Sequence, residues 1–130
     1  MSPVNPTADQ FQAFTGLPDT GPFVMVNLLK FKKDSTPDGK SGRDAYRRYS
    51  HNVLPLLLKV GGKVVWSGNV DQVFIGAKED EWDFVLLVEY PSKKAFMEMV
   101  SAPEYTVVQQ DREAGLEKAV LMPCSFSMAP

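Results

Sequence analysis

The chain has one cysteine, one histidine and no surplus of positive charge, and no apolar run in it approaches the roughly 20 residues of a membrane span. Each shortage excludes something. Cys124 has no partner for an internal disulfide, which points to a reducing compartment. Cys124 and His51 together are too few to build a zinc site, and no carboxylates fall at calcium-loop spacing. GNVDQVFIG lacks the glycine pattern of a dinucleotide loop, and neither a phosphate loop nor a G-x-S-x-G nucleophile elbow is present. A net charge of −2 argues against nucleic acid as a partner, and the cluster Arg43, Arg47, Arg48 reads as a solvated helix face. The opening MSPVNPTADQ has neither the basic start nor the apolar stretch of a secretory leader. The expectation is a soluble cytoplasmic protein with no cofactor, no metal, no nucleic-acid partner and no membrane partner.

What is present suits one domain over residues 1–130, with an arm over 1–20 and a core over 22–126. Thr7 and Gln10 form a capping box before Phe11 and Phe14, so a short arm helix packed by those two rings is expected. Residues 22–32 read as a strand apolar on both faces, with Phe23, Met25, Asn27, Leu29 and Phe31 on one of them. Asp38-Gly39 marks a turn, and Ser41 then caps a helix with the stripe Tyr46, Tyr49, Val53, Leu56, Leu57. Pro55 is expected to kink or restart that helix, and Gly61-Gly62 to end it. KVVWSGNVDQVFIG reads as a long strand or a bent pair, with Gly68 and Asn69 marking a bulge or turn, and WDFVLLVEY as a further strand. Ser92 caps a helix, Pro103 starts another reaching about Leu116, and AVLMPCSF closes the chain as a strand.

Leaving the arm aside, this is the β-α-β-β-α-β order of ferredoxin-like α+β domains, with the first and third strands central in a four-stranded antiparallel sheet. Two helices cover one face of such a sheet, and the other would leave large apolar side chains in water. A homodimer packed through its sheet faces is the simplest cover, and Met25 serves as the test position on the uncovered face.

VLLVEYPSKKAFMEMVSAPEYTVVQQDR resembles the middle of the bacterial family known as domain of unknown function 1330. The shared features are the Tyr90-Pro91-Ser92 strand exit, the Ser101-to-Tyr105 helix restart and Arg112 beyond it, with GGKVVWSG similar to the family's second strand. The likeness spans about residues 22–126 and departs at Ala102, in the arm and in the loop before Gly42. It implies the dimeric α+β-barrel superfamily, which holds isomerases, small monooxygenases, haem-degrading enzymes and ligand-binding modules. Fold does not fix the activity.

Arg112 shares a helical face with Tyr105, Val108, Gln109 and Leu116, so its guanidinium must be paired or line a polar cavity. Two roles are open to it: an ion pair with Glu89, Asp83 or a partner-subunit carboxylate, or a bidentate anchor for a ligand carboxylate or enolate. Asn27 interrupts an apolar strand face, as a core or interface amide or as a donor to a developing oxyanion. Tyr46 and Tyr49 are core aromatics whose hydroxyls reach the rim, where Trp66 could join them at a pocket entrance. Glu89 could act as a base if buried. His51 is the only histidine, but it points roughly 170° from the apolar stripe of its helix, toward solvent. The catalytic candidates are therefore Arg112, Asn27, Glu89 and His51, and the ligand-binding set is Asn27, Tyr46, Tyr49, Trp66, Tyr105 and Arg112.

Three functions fit these residues. One is a small-molecule binder or enzyme working without a cofactor, in the manner of an isomerase or monooxygenase. Another is a non-catalytic dimeric module that binds a metabolite or partner. The third is haem handling, which the outward direction of His51 disfavours.

Overall fold

A computed structural model describes residues 4–33 and 41–130. Asp38-Gly39 lies outside the described residues. The order is α1 (Ala8–Thr15), β1 (Phe23–Phe31), α2 (Gly42–Lys59), β2 (Lys63–Asn69), a short 3-10 turn at Lys78–Asp80, β3 (Phe84–Tyr90), α3 (Lys93–Ser101), α4 (Pro103–Gly115) and β4 (Leu116–Cys124). The strands form one antiparallel sheet in the order β2-β3-β1-β4, so the two doubly apolar strands are central. This is the ferredoxin-like α+β fold.

Local chemistry starts each helix where the side chains predict. Thr7 and Gln10 form the reciprocal capping box of α1. Ser41 accepts from the Asp44 amide at 3.2 Å and Ser92 from the Ala95 amide at 3.0 Å. Pro103 occupies the first turn of α4, where its missing N–H costs nothing. Pro55 does not divide α2, which runs unbroken through it. The turn after α2 uses Gly61 at φ 84°, a left-handed conformation suited to glycine. Two other glycines permit a close crossing. A Cβ on Gly115 would lie 2.5 Å from the Gly42 carbonyl oxygen and 2.9 Å from the Tyr46 amide, so α2 and α4 meet backbone to backbone.

The core lies between one sheet face and the helices. Phe23, Met25, Leu29 and Phe31 of β1 pack there with Tyr46, Tyr49, Leu57, Met99 and Tyr105. Met25 is 4% exposed, so it faces the helices and not the uncovered side of the sheet. The uncovered face is built from the alternate residues. Val24, Val26 and Leu28 of β1 lie between Glu89, Leu87 and Val85 of β3 on one side and Cys124, Met122 and Val120 of β4 on the other. Each of the β1 and β3 members is half-buried rather than sealed.

Two further expectations are revised. The strand expected to continue through VFIG stops at Asn69, and Phe74 and Ile75 instead stand 86% and 88% exposed on the connector to β3. In the arm, Phe14 packs on Phe23 and Phe96 at ring distances of 6.2 and 5.3 Å, whereas Phe11 is left exposed. Asp19 fastens the arm's far end by accepting from the Lys93 and Lys94 amides at 3.0 and 3.2 Å, and the Lys93 bond leads in holding its carboxyl below the usual range.

Candidate functional site

α2 crosses the helix-covered sheet face without filling the space beneath it. A cavity of about 310 Å³ remains, within the range of small-ligand sites, lined by Asn27, Tyr46, Tyr49, Tyr90, Leu86 and Met99 among others. Among the described residues no Asp, Glu, Lys, Arg or His lines it. A larger hollow of about 530 Å³ lies at the β2–β3 connector, between Lys30, Lys33, Trp82 and Asp83. Its lysines and carboxylates are mostly solvated and of mixed sign, so it lacks the converging polar groups of a binding site.

Polar atoms in the smaller cavity are few and their orientations follow from their partners. The Asn27 amide nitrogen donates to the Met25 carbonyl at 3.0 Å and to the Leu86 carbonyl at 3.2 Å. Two carbonyls fix which end of the amide is nitrogen and occupy both of its protons. Asn27 therefore turns its acceptor oxygen to the cavity and has no free donor for an oxyanion. Among the described residues, the hydroxyls of Tyr46 and Tyr90 have no hydrogen-bond partner, and no fully enclosed polar side-chain atom is unpartnered. Both hydroxyls thus open to the space they line. Burial raises both phenols above their ordinary pKa of 10.0, so each remains a neutral donor at physiological pH. For Tyr46 the positive charge of Arg112 opposes that rise.

The residues singled out in the sequence separate into groups. Asn27, Tyr46 and Tyr49 meet at the cavity. Tyr105 stands behind them, its hydroxyl sharing a 3.0 Å hydrogen bond with that of Tyr49. Trp66 is on the other side of the sheet: a bulge between Val64 and Trp66 resets the alternation, leaving Val64 at the cavity and Trp66 opposite Leu87 on the uncovered face. Glu89 is also on that face, 3.8 Å from the Lys63 ammonium. His51 is exposed on α2.

Arg112 is 7% exposed but does not line the cavity. Its Nη1 donates to the Val4 carbonyl at 2.6 Å and to the Asn5 side-chain oxygen at 3.3 Å. Neither Glu89 nor Asp83 meets it; Asp83 instead accepts from the Phe31 amide at 2.9 Å. The neighbouring arginines are ordinary surface groups, Arg47 with Asp44 at 2.7 Å and Arg48 with Asp111 at 3.2 Å. Among the described residues no three His, Cys, Asp or Glu side chains gather as metal ligands, and no helix is long and apolar enough to cross a membrane.

Sequence reasoning missed Tyr90. Its signal was present, since Tyr90 shares a strand face with the inward Leu86 and Val88.

A family profile matches residues 41–123, from the cap of α2 to the end of β4. The chain belongs to the family described as domain of unknown function 1330. All the candidate residues except Asn27 fall inside the match. This DUF1330 chain is 33% identical to a protein of unknown function from Rhodopseudomonas palustris, with a TM-score of 0.90 over 99% of this chain and 100% of that one. A dimeric ferredoxin-like protein of unknown function from Bacteroides fragilis is 12% identical, with a TM-score of 0.54 over 81% of this chain and 96% of that one. A candidate antibiotic biosynthesis monooxygenase from Bacteroides thetaiotaomicron is 11% identical, with a TM-score of 0.51 over 84% and 91%. These last two likenesses carry the fold alone. No curated protein matches the chain.

Proposed function

We propose that this DUF1330 protein is a homodimer, each protomer of which binds a small, largely apolar, oxygen-bearing molecule between its sheet and α2. One observation carries the reading: the Tyr46 and Tyr90 hydroxyls and the Asn27 side-chain oxygen, which have no hydrogen-bond partner among the described residues, belong to the lining of a largely apolar cavity of about 310 Å³ whose other hydroxyls are those of Tyr49, Ser50 and Ser67. Two neutral phenols suit a carbonyl oxygen as donors, and Asn27 suits a hydroxyl or amide proton as acceptor.

Binding without turnover is favoured over isomerisation. Proton abstraction beside a carbonyl needs a base, and among the described residues no carboxylate or imidazole lines the cavity. Tyrosinate is no substitute, since burial disfavours it. Haem ligation is disfavoured by the exposed position of His51, outside the cavity. A cytoplasmic setting fits the single cysteine, Cys124, which is exposed and free.

The dimer is supported by the apolar strip Val24, Val26, Leu28, Val85 and Leu87 on the uncovered face, and by the dimeric ferredoxin-like neighbour from Bacteroides fragilis. Thermal denaturation with benzamide tests the cavity. Benzamide at about 100 times its Kd stabilises the wild type by about 2.7 kcal/mol, and the Tyr46→Phe/Tyr90→Phe variant loses most of that gain. A wild type whose Tm ignores benzamide and similar neutral oxygen-bearing aromatics contradicts the reading.

A further inference from the structure

Arg112 is a buried cation. Among the described residues no carboxylate pairs with it, and its acceptors there are two neutral oxygens of one short segment, the Val4 carbonyl and the Asn5 amide. Both bonds use Nη1, so the N–H groups on Nε and Nη2 have no acceptor among the described residues. A guanidinium taken out of water is costly unless an anion or a full set of acceptors compensates it. The segment that covers it is held from outside by polar contacts. The Asn5 side-chain nitrogen donates to Glu113 at 2.6 Å, and Gln109 donates to the Asn5 oxygen at 3.4 Å, both at exposed positions. Val4 packs on the edge of the core. Water and ions therefore compete at Asn5 while Val4 closes the inner side.

Tyr46 connects this place to the cavity. It lines the cavity, its amide lies where α2 crosses α4 at Gly115, one turn from Arg112, its hydroxyl has no partner among the described residues, and the charge of Arg112 bears on it. We infer that Arg112 is the subsite for the carboxylate head of a small monoanion, and that Val4–Asn5 is a strap occupying the guanidinium with neutral oxygens until such a ligand displaces it. The planar fork of Arg112 matches a carboxylate with two parallel bonds, one to the unoccupied Nη2 and one to Nη1, where the uncharged Val4 and Asn5 oxygens now sit. One cation fits one negative charge, which selects a carboxylate over a phosphate dianion. This rests on the cavity reading above and specifies the head group of its ligand.

Because strap and ligand compete for the N–H groups of Nη1, weakening the strap strengthens the ligand. Titration calorimetry with benzoate and its neutral counterpart benzamide reads this directly. The wild type binds benzoate about tenfold more tightly than benzamide, and Arg112→Gln makes the two equal. Asn5→Ala, which leaves the guanidinium in place, tightens benzoate severalfold and leaves benzamide unchanged, so the test survives if Arg112→Gln does not fold. Equal affinities in the wild type, a benzoate preference that persists in Arg112→Gln, or Asn5→Ala without effect on benzoate each overturn the inference. Benzamide binding without a benzoate preference overturns the inference and leaves the cavity reading standing, while an Arg112-dependent benzoate site indifferent to Tyr90→Phe overturns both, because the inference places its carboxylate on the cavity's ligand. Failure of both ligands to bind overturns both.

Discussion

The hydroxyls of Tyr49 and Tyr105 meet at 3.0 Å in the interior and tie α2 to α4. Their rings stand nearly perpendicular, at 85° with centroids 6.3 Å apart. Each phenol satisfies the other, which distinguishes this pair from Tyr46 and Tyr90. Tyr49→Phe strands the Tyr105 hydroxyl in the core and is expected to lower stability by about 1–3 kcal/mol. The double change to Phe at both positions removes the stranded group and recovers much of the loss, as urea denaturation of all the variants will read.

The two faces of β1 predict opposite outcomes for similar substitutions. Leu28→Lys places a charge on the uncovered face, so sedimentation should show monomers with an unchanged far-ultraviolet dichroism spectrum. Met25→Lys buries an unpaired ammonium among core side chains and should unfold the protein rather than dissociate it. A Leu28→Lys protein that sediments like the wild type would remove the sheet-face dimer.

Gly115→Ala tests the crossing of α2 and α4. The added methyl would stand 2.5 Å from the Gly42 carbonyl oxygen, and both atoms belong to packed backbone. Separation of the helices should cost about 1–3 kcal/mol, seen as a lower Tm. It should also weaken benzamide, because the Tyr46 amide lies against the same spot.

Alkali should unfold the protein through its phenols. Burial raises Tyr46, Tyr49 and Tyr90 above the ordinary 10.0, so above that pH the folded chain holds more protons than the unfolded one. Their contribution is complete below pH 10.0 and is lost as pH rises toward the folded values. Stability followed by denaturant titration should fall above about pH 10, with phenolate absorbance appearing together with unfolding. Replacing Tyr46 with Phe should flatten the fall.

Much of the fold was legible because it rests on short-range rules. The Ser41 and Ser92 caps, the Pro103 start and the doubly apolar β1 and β3 are local patterns, and they determined element order and the central strands. Which face of β1 meets the helices was not legible, because Met25 and Val26 are both apolar and alternation alone does not choose between them. Trp66 was misplaced for a related reason: a bulge at Val65 shifts the alternation, and one extra residue reverses every face beyond it. The site was half legible. Asn27, Tyr46 and Tyr49 stand out as polar groups on apolar faces, but that Asn27 offers an acceptor depends on backbone carbonyls 3.0 and 3.2 Å away. Arg112 was legible as a buried cation, while its partners Val4 and Asn5 are more than one hundred positions away in the chain.

The most direct test of the account is two-dimensional amide NMR of the protein titrated with benzamide. Shifts should gather on Asn27, Tyr46, Ser50, Ser67 and Tyr90, which surround the cavity from both the sheet and α2. Shifts confined to the uncovered face around Val26 and Leu87, or scattered over the surface without saturation, would contradict it.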